Sequence, residues 1–345
     1  MALTKEQLIR QRAEELGYEG CGIIPIGAMD GYRDKFLERM EKLPESVPFY
    51  RNQQRLTEPL VHFPWARSVV VLAMPYGKYR IPEQVKGRIA KTYLTDVRAD
   101  ANTTEYQSSL LMEEYLQELG LRTAGNRKFG VVGLRWAALE AGLGIIRRNN
   151  FLYTKSGSWV HLEAWLTDGE MELRQQEVLP PCPKNCTKCQ SACPTRSLSA
   201  PYVMQPAACI SYMTTFGGRE LWQEPLRHSF GSCIYGCDLC QDACPMNRNQ
   251  WKETLDFPGL PEVAELLEPE RILELTEDTY REKIQPKFFY LSPEELWKWK
   301  INVLNYMRNN YRDGYRNPIL QACGSSHDGI RRMAQAVREE LQLEA

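Results

Sequence analysis

The stretch Cys182-Pro183-Lys184-Asn185-Cys186-Thr187-Lys188-Cys189-Gln190-Ser191-Ala192-Cys193-Pro194 has a twin at Cys233-Ile234-Tyr235-Gly236-Cys237-Asp238-Leu239-Cys240-Gln241-Asp242-Ala243-Cys244-Pro245. Both read C-x3-C-x2-C-x3-C-P, close to the bacterial run that holds cubane clusters. Nine of the eleven cysteines lie between Cys182 and Cys244. Structural zinc draws on two separated pairs of ligands and needs no third cysteine at x2 spacing. Disulfide scaffolds belong to short secreted chains. The spacing therefore predicts two [4Fe–4S] clusters and low-potential electron transfer.

In two-cluster ferredoxins the fourth cysteine of each run serves the other cluster. One set is then Cys182, Cys186, Cys189 and Cys244. The other takes Cys193, Cys237, Cys240 and one more, with Cys209 and Cys233 as rivals. The internal repeat favours Cys233.

A chain of 345 residues, 43% hydrophobic and 25% charged, has room for two or three domains with proper cores. The net charge of -1 gives no basic field to gather nucleic acid. No apolar stretch approaches a membrane span, and no twin-arginine or lipidation pattern is present. Free thiols and oxygen-sensitive clusters point to the reducing cytoplasm.

Thr4-Lys5-Glu6-Gln7 is a capping box that should open an amphipathic helix ending near Gly17. Cys21–Pro25, Ser68–Met74 and the alternating run Trp159–Leu166 read as strands, with Cys21 in the core. Helices are expected over Tyr32–Leu43, Glu105–Leu119 and Leu134–Ala141, and, beyond the cysteines, over Pro261–Leu275, Pro293–Arg312 and Asp328–Leu343, with Asp328 as a cap. The irregular mixture predicts an α+β fold. It divides at about 1–175, 176–250 for the cysteine region, and 251–345 for a helical tail.

Several segments outside the cysteine runs resemble epoxyqueuosine reductase, an enzyme of transfer RNA queuosine synthesis. They are Cys209-Ile210-Ser211-Tyr212-Met213-Thr214, Gly142-Leu143-Gly144, Gly157-Ser158-Trp159 and Leu166-Thr167-Asp168, with the second cysteine run itself. The resemblance implies a base-off cobalamin held between residues 1–175 and a double-cluster ferredoxin-like domain, an arrangement shared with reductive dehalogenases. Tyr106, Arg135, Gly142, Gly144, Gly157, Ser158, Trp159, Ser211, Tyr212 and Thr214 would touch the cofactor. The resemblance favours Cys209 over Cys233 as a ligand. It also implies a one-electron donor such as a ferredoxin or flavodoxin.

The departures are as informative. Where the family has a catalytic aspartate, counting back from Gly142 gives Lys128, the catalytic candidate here. Glu140, Glu163, Asp168 and Tyr106 are alternative acids. Asp-Tyr-His of the family appears as Glu105-Tyr106-Gln107, and Phe216 stands near the place of an acidic residue. Arg147 and Arg148 are expected beside the corrinoid pocket, to pair with its phosphate or with an anionic substrate. The neutral charge and a tail with at most one helical repeat, Asn317–Leu341, argue against transfer RNA as the substrate. The reading is a divergent reductase of a small molecule or modified nucleoside. The alternative is a non-catalytic protein that carries electrons or reduces a partner's corrinoid.

Overall fold

The apolar run Ser68–Pro75 forms the central strand of the computed structural model, which describes residues 3–176 and 179–344. The strands in chain order are β1 (Gly20–Pro25), β2 (Ser68–Pro75), β3 (Thr123–Gly125), β4 (Ile145–Ile146), β5 (Leu152–Tyr153) and β6 (Val160–Thr167). Four of them make an antiparallel sheet in the order β1-β2-β6-β3, with Ser68 opposite Thr167 and Met74 opposite His161. β4 and β5 form a separate hairpin.

β2 is apolar throughout because both of its faces are covered. Val70, Leu72 and Met74 pack with Ile9, Ala13, Met112 and Leu116 of the helices Lys5–Glu15 and Thr104–Glu118. Val69, Val71 and Ala73 pack with Ala137 and Ala138 of the helix Leu134–Glu140. The first helix is closed as its sequence requires, Thr4 Oγ1 accepting from Gln7 N and Gln7 Oε1 from Thr4 N. Gly142 ends the last of these helices with φ 73°, and a Cβ there would lie 1.7 Å from the Gln175 carbonyl oxygen. Only glycine fits that crossing.

A third core joins the cysteine region to the helical tail, and residues 79–97 of the first segment belong to it through Tyr79, Ile81, Val85, Ile89 and Leu94. Tyr235 stacks on Trp299 with centroids 4.6 Å apart, and Phe288 meets both edge-on. The tail helix Leu296–Asn309 turns polar groups toward the short helix Ile210–Thr215. Lys298 Nζ donates to Met213 O at 2.8 Å and Asn302 Nδ2 to Thr214 O at 2.8 Å. Burial pushes the Lys298 ammonium down to about 7.

Two expectations are corrected here. Pro261–Leu275 is not one helix but two, Leu260–Leu266 and Pro269–Glu274, because Pro269 starts a new first turn. Asp328 does not cap Asp328–Glu340; His327 takes that position, and the Asp328 carboxylate pairs with Arg331 and Arg332. The helices Arg316–Ala322 and Asp328–Glu340 form a single packed pair.

Candidate functional site

Each cysteine run folds into a loop ending in a single helical turn, Lys188–Ser191 in one and Leu239–Asp242 in the other, and the two turns pack together. That packing carries the last cysteine of each run across to the other. Cys182, Cys186, Cys189 and Cys244 line one small cavity. Burial raises the Cys209 thiol, and Cys237 and Cys193 are close enough to perturb its ionisation further. Cys240 has Cys237, Cys209 and Cys193 as its thiol neighbours. Cys233 lies in the third core, in contact with Cys237. Among the described residues no three His, Cys, Asp or Glu side chains converge on a single ion. A cubane is a larger body and asks for wider spacing than an ion does.

The β4–β5 hairpin covers the first set of thiols. Arg147 is 2% exposed, donates through Nη2 to Pro180 O at 2.8 Å, and holds Nη1 3.8 Å from Cys182 Sγ. Its Nε is buried without a partner. Arg148 donates to Cys186 O at 2.5 Å and Lys184 O at 2.6 Å. Both arginines therefore bond the cysteine loop. Beside the second set lies Asp238, whose carboxylate accepts from Lys91 N at 2.7 Å. Loss of water around Asp238 raises its carboxyl to about 6, against the pull of Lys91.

A cleft of about 620 Å³ runs between the helix Asp30–Lys42, the helix Leu134–Glu140 and the loop at Tyr202. Its walls are aromatic (Tyr32, Phe36, Phe49, Tyr50, Trp136) and cationic (Lys35, Arg39, Lys42, Arg135), with Glu38 as a counter-charge. Asn150, at φ 64°, contributes a side-chain amide nitrogen that is buried and unpartnered. Phe49, in the cleft wall, meets Tyr212 edge-on at 5.3 Å, so that wall packs on the helix that begins directly after Cys209. Tyr212 stacks with Phe216, and Ser211 Oγ shares a hydrogen bond with Tyr93 Oη at 3.3 Å. Thr214 is buried and accepts from Gly236 N at 2.9 Å.

Other residues that the resemblance assigns to the cofactor hold the first segment to the cysteine region. Ser158 N donates to Asn247 Oδ1 and Ser158 Oγ to Gln241 Oε1, each at 2.8 Å. A Cβ on Gly157 would stand 2.3 Å from Asn247 Oδ1, which makes glycine necessary there. Gly144 is similarly close to Tyr153 O, and Trp159 is buried against Trp251. Tyr106 lies under the Arg127 guanidinium.

Lys128 is exposed on the loop before the helix Leu134–Glu140, its ammonium 4.6 Å from the Phe289 ring centre. Its carbonyl accepts from Arg98 Nη1 at 3.2 Å. Of the alternative acids, Glu140 pairs with Arg174 on the surface, and Asp168 accepts from Arg122 N. Glu163 is buried and accepts from Tyr18 Oη at 3.1 Å; burial raises its carboxyl.

Sequence reasoning missed the network that fixes this loop. Arg98 forks onto Asp96, at 2.8 Å to Oδ1 and 2.6 Å to Oδ2, and donates to Tyr290 Oη at 3.0 Å. Burial opposes the Asp96 charge, yet Arg98 wins and holds the carboxyl below its usual range. His161 is buried next to them, stacked on Tyr76 at 4.2 Å with Nε2 unpartnered, and burial drops its pKa to about 4. The only sequence signal was one histidine on an alternating strand.

A family model described as the 4Fe-4S double cluster binding domain matches residues 182–247. Epoxyqueuosine reductase of Cellulophaga algicola is 30% identical over 259 residues, 71% of this chain and 81% of that protein. The enzyme of Lactococcus garvieae is 37% identical over 258 residues, 72% and 71% of the two chains. A crystal structure of epoxyqueuosine reductase with an epoxyqueuosine-modified tyrosine transfer RNA stem loop shares the fold. Its TM-score is 0.75 at 22% identity, over 96% of this chain and 88% of that one.

Proposed function

Because the chain belongs to the epoxyqueuosine reductase family, we propose that it is a cobalamin-dependent iron–sulfur reductase of a small molecule or modified nucleoside. The observation that carries the reading is a cleft with aromatic walls and four cations, one wall residue of which, Phe49, packs on Tyr212 of the helix after Cys209. Flat apolar surface with a few fixed charges suits a corrin that bears a phosphate-linked tail. The buried, unpartnered amide of Asn150 fits an acceptor-rich ligand in the same place.

Cys182, Cys186, Cys189 and Cys244 would hold one cluster, and Cys193, Cys209, Cys237 and Cys240 the other. When bound, the clusters supply single low-potential electrons and the corrinoid supplies the reducing centre that meets the substrate. The chain's own work is orientation. Lys298 and Asn302 fix the helix Ile210–Thr215, Ser158 and Asn247 hold the two sides of the site together, and Asp96 with Arg98 fixes the loop of Lys128. Lys128 takes the place of the family's aspartate as the ionisable side chain of that loop. A ferredoxin or flavodoxin is the expected electron donor.

The test is an anaerobic titration of the iron-reconstituted protein with cob(II)alamin, followed by electron paramagnetic resonance. A stoichiometric base-off cobalt signal supports the reading. No binding by a protein with both clusters intact refutes it and leaves an electron carrier. Failure to restore queuosine in a strain lacking the normal enzyme would direct the substrate search away from transfer RNA.

A further inference from the structure

The guanidinium of Arg147 is a planar cation with five N–H groups. It is 2% exposed, 5.1 Å from the Tyr153 ring centre, and only part of its donor set is used. Nη2 takes the Pro180 carbonyl, Nη1 faces Cys182 Sγ, and Nε is buried with no acceptor in the protein. A buried N–H without an acceptor costs about 1–3 kcal/mol, so this geometry asks for an anionic neighbour. The thiolates and sulfides of a cluster on Cys182, Cys186, Cys189 and Cys244 would supply one. Lys188 and Arg148 line the same cavity. Asp238 lies beside the other set, its carboxylate accepting from Lys91 N, while the Lys91 ammonium is bound to Asp242.

We propose that Arg147 sets the potential of the cluster held by Cys182, Cys186, Cys189 and Cys244, keeping it above that of the cluster held by Cys193, Cys209, Cys237 and Cys240. The inference rests on the ligand sets given above. Reduction adds one negative charge to a cubane. A fixed cation with N–H groups aimed at sulfur favours the reduced state, and a fixed carboxylate disfavours it. The first electron from a one-electron donor then rests on the Arg147 side. Each step is the one-electron couple between the 2+ and 1+ states, with no bond made or broken and no proton moved.

The experiment is a dithionite potentiometric titration, read by electron paramagnetic resonance, of the reconstituted protein without any corrinoid. Two separated one-electron steps are expected. Cys244→Ser should remove the higher one; if it removes the lower, the cluster beside Arg147 is the lower of the two and the proposal is overturned. In Arg147→Gln the reduced-to-oxidised ratio of the higher step should fall at least tenfold at fixed potential, about 59 mV for one electron. The lower step should stay in place. A higher step that does not move, or two steps that move together, overturns the proposal. Should Arg147→Gln assemble only half the iron, Arg147→Lys decides. It keeps the charge without the fork, so the higher step should still fall, by less, and an unchanged step overturns the proposal. Because no corrinoid is present, the outcome is independent of whether cobalamin binds.

Discussion

Around Cys182, Cys186, Cys189 and Cys244 the charged neighbours are cations: Arg147 and Arg148 between the strands of the β4–β5 hairpin, and Lys188 of the cysteine run itself. Around Cys193, Cys209, Cys237 and Cys240 they are Asp238, with Lys91 against it, and further off the buried pair of Asp96 and Arg98 near Tyr76 and Tyr93. The two runs have the same spacing, so their loops fold alike. What differs comes from residues far away in sequence. Spacing makes the ligand cage, and the chain packed against each cage determines its electrostatics and its rigidity.

The cage itself gives the largest expected effect. Cys209→Ser should halve the iron bound per chain, whereas Cys233→Ser should leave it unchanged and cost only packing beside Tyr235. Iron and sulfide assays on both variants check this. The reverse result would move the second cage by one strand of contacts and place Asp238 differently against it.

Next comes the buried ion pair. Asp96 is 1% exposed, and its removal strands the Arg98 guanidinium among aromatic rings. Asp96→Ala should destabilise the protein by about 3 kcal/mol, since a buried charge left without its partner is costly. It should also free the loop of Lys128, whose carbonyl Arg98 holds. Denaturant unfolding gives the first quantity, and protease cleavage near Asn126 reports the second. The first cage should keep its iron throughout, because its hairpin makes no use of this pair.

Acidity distinguishes the two regions again. The His161 pKa lies near 4 in the fold against a usual 6.5, burial outweighing the attraction of Asp96, with Arg98 opposed and Glu105 in favour of protonation. A lowered folded pKa means the stability is complete above pH 6.5 and is lost as pH falls toward 4. Between pH 7 and pH 5 this group should remove about 2 kcal/mol, at 1.36 kcal/mol per pKa unit. His161→Phe keeps the stack on Tyr76 and should flatten that part of the pH dependence, as urea unfolding at the two pH values would record. An equal slope in the variant would place the acid sensitivity elsewhere.

The double-cluster cysteine runs, the capping box at Thr4 and the strand Ser68–Pro75 were legible because each depends on residues a few positions apart. A ligand run must present its thiols locally, and a cap must reach its own first turn. The break at Pro269 was missed, although proline favours a first turn, because the apolar pattern on either side concealed it. The regions around the cages were not legible. Arg147 meets Cys182 across 35 residues, and Arg98 meets Tyr290 across 192. Nothing local marks an arginine for burial. The resemblance placed Arg147 and Arg148 near a corrinoid; the bonds they make here run to the cysteine loop. Ser158 was singled out for a cofactor, and its visible work is the bond to Asn247 and Gln241.

The smallest expected effect separates charge from scaffolding on the first side. Arg148 grips two carbonyls of the cysteine loop, Cys186 O and Lys184 O, yet no contact joins it to sulfur. Hydrogen bonds from a charged donor are worth about 1.5–3 kcal/mol when buried, and these are partly open to water, so Arg148→Ala should cost about 1 kcal/mol. The looser loop should release its cluster faster in air, measurable as quicker bleaching of the iron–sulfur absorption. The midpoint of the higher step should stay where it is, because the charge that faces Cys182 remains. If Arg148→Ala shifts that midpoint as far as Arg147→Gln does, the potential responds to total local charge. In that case the N–H groups of Arg147 have no role of their own.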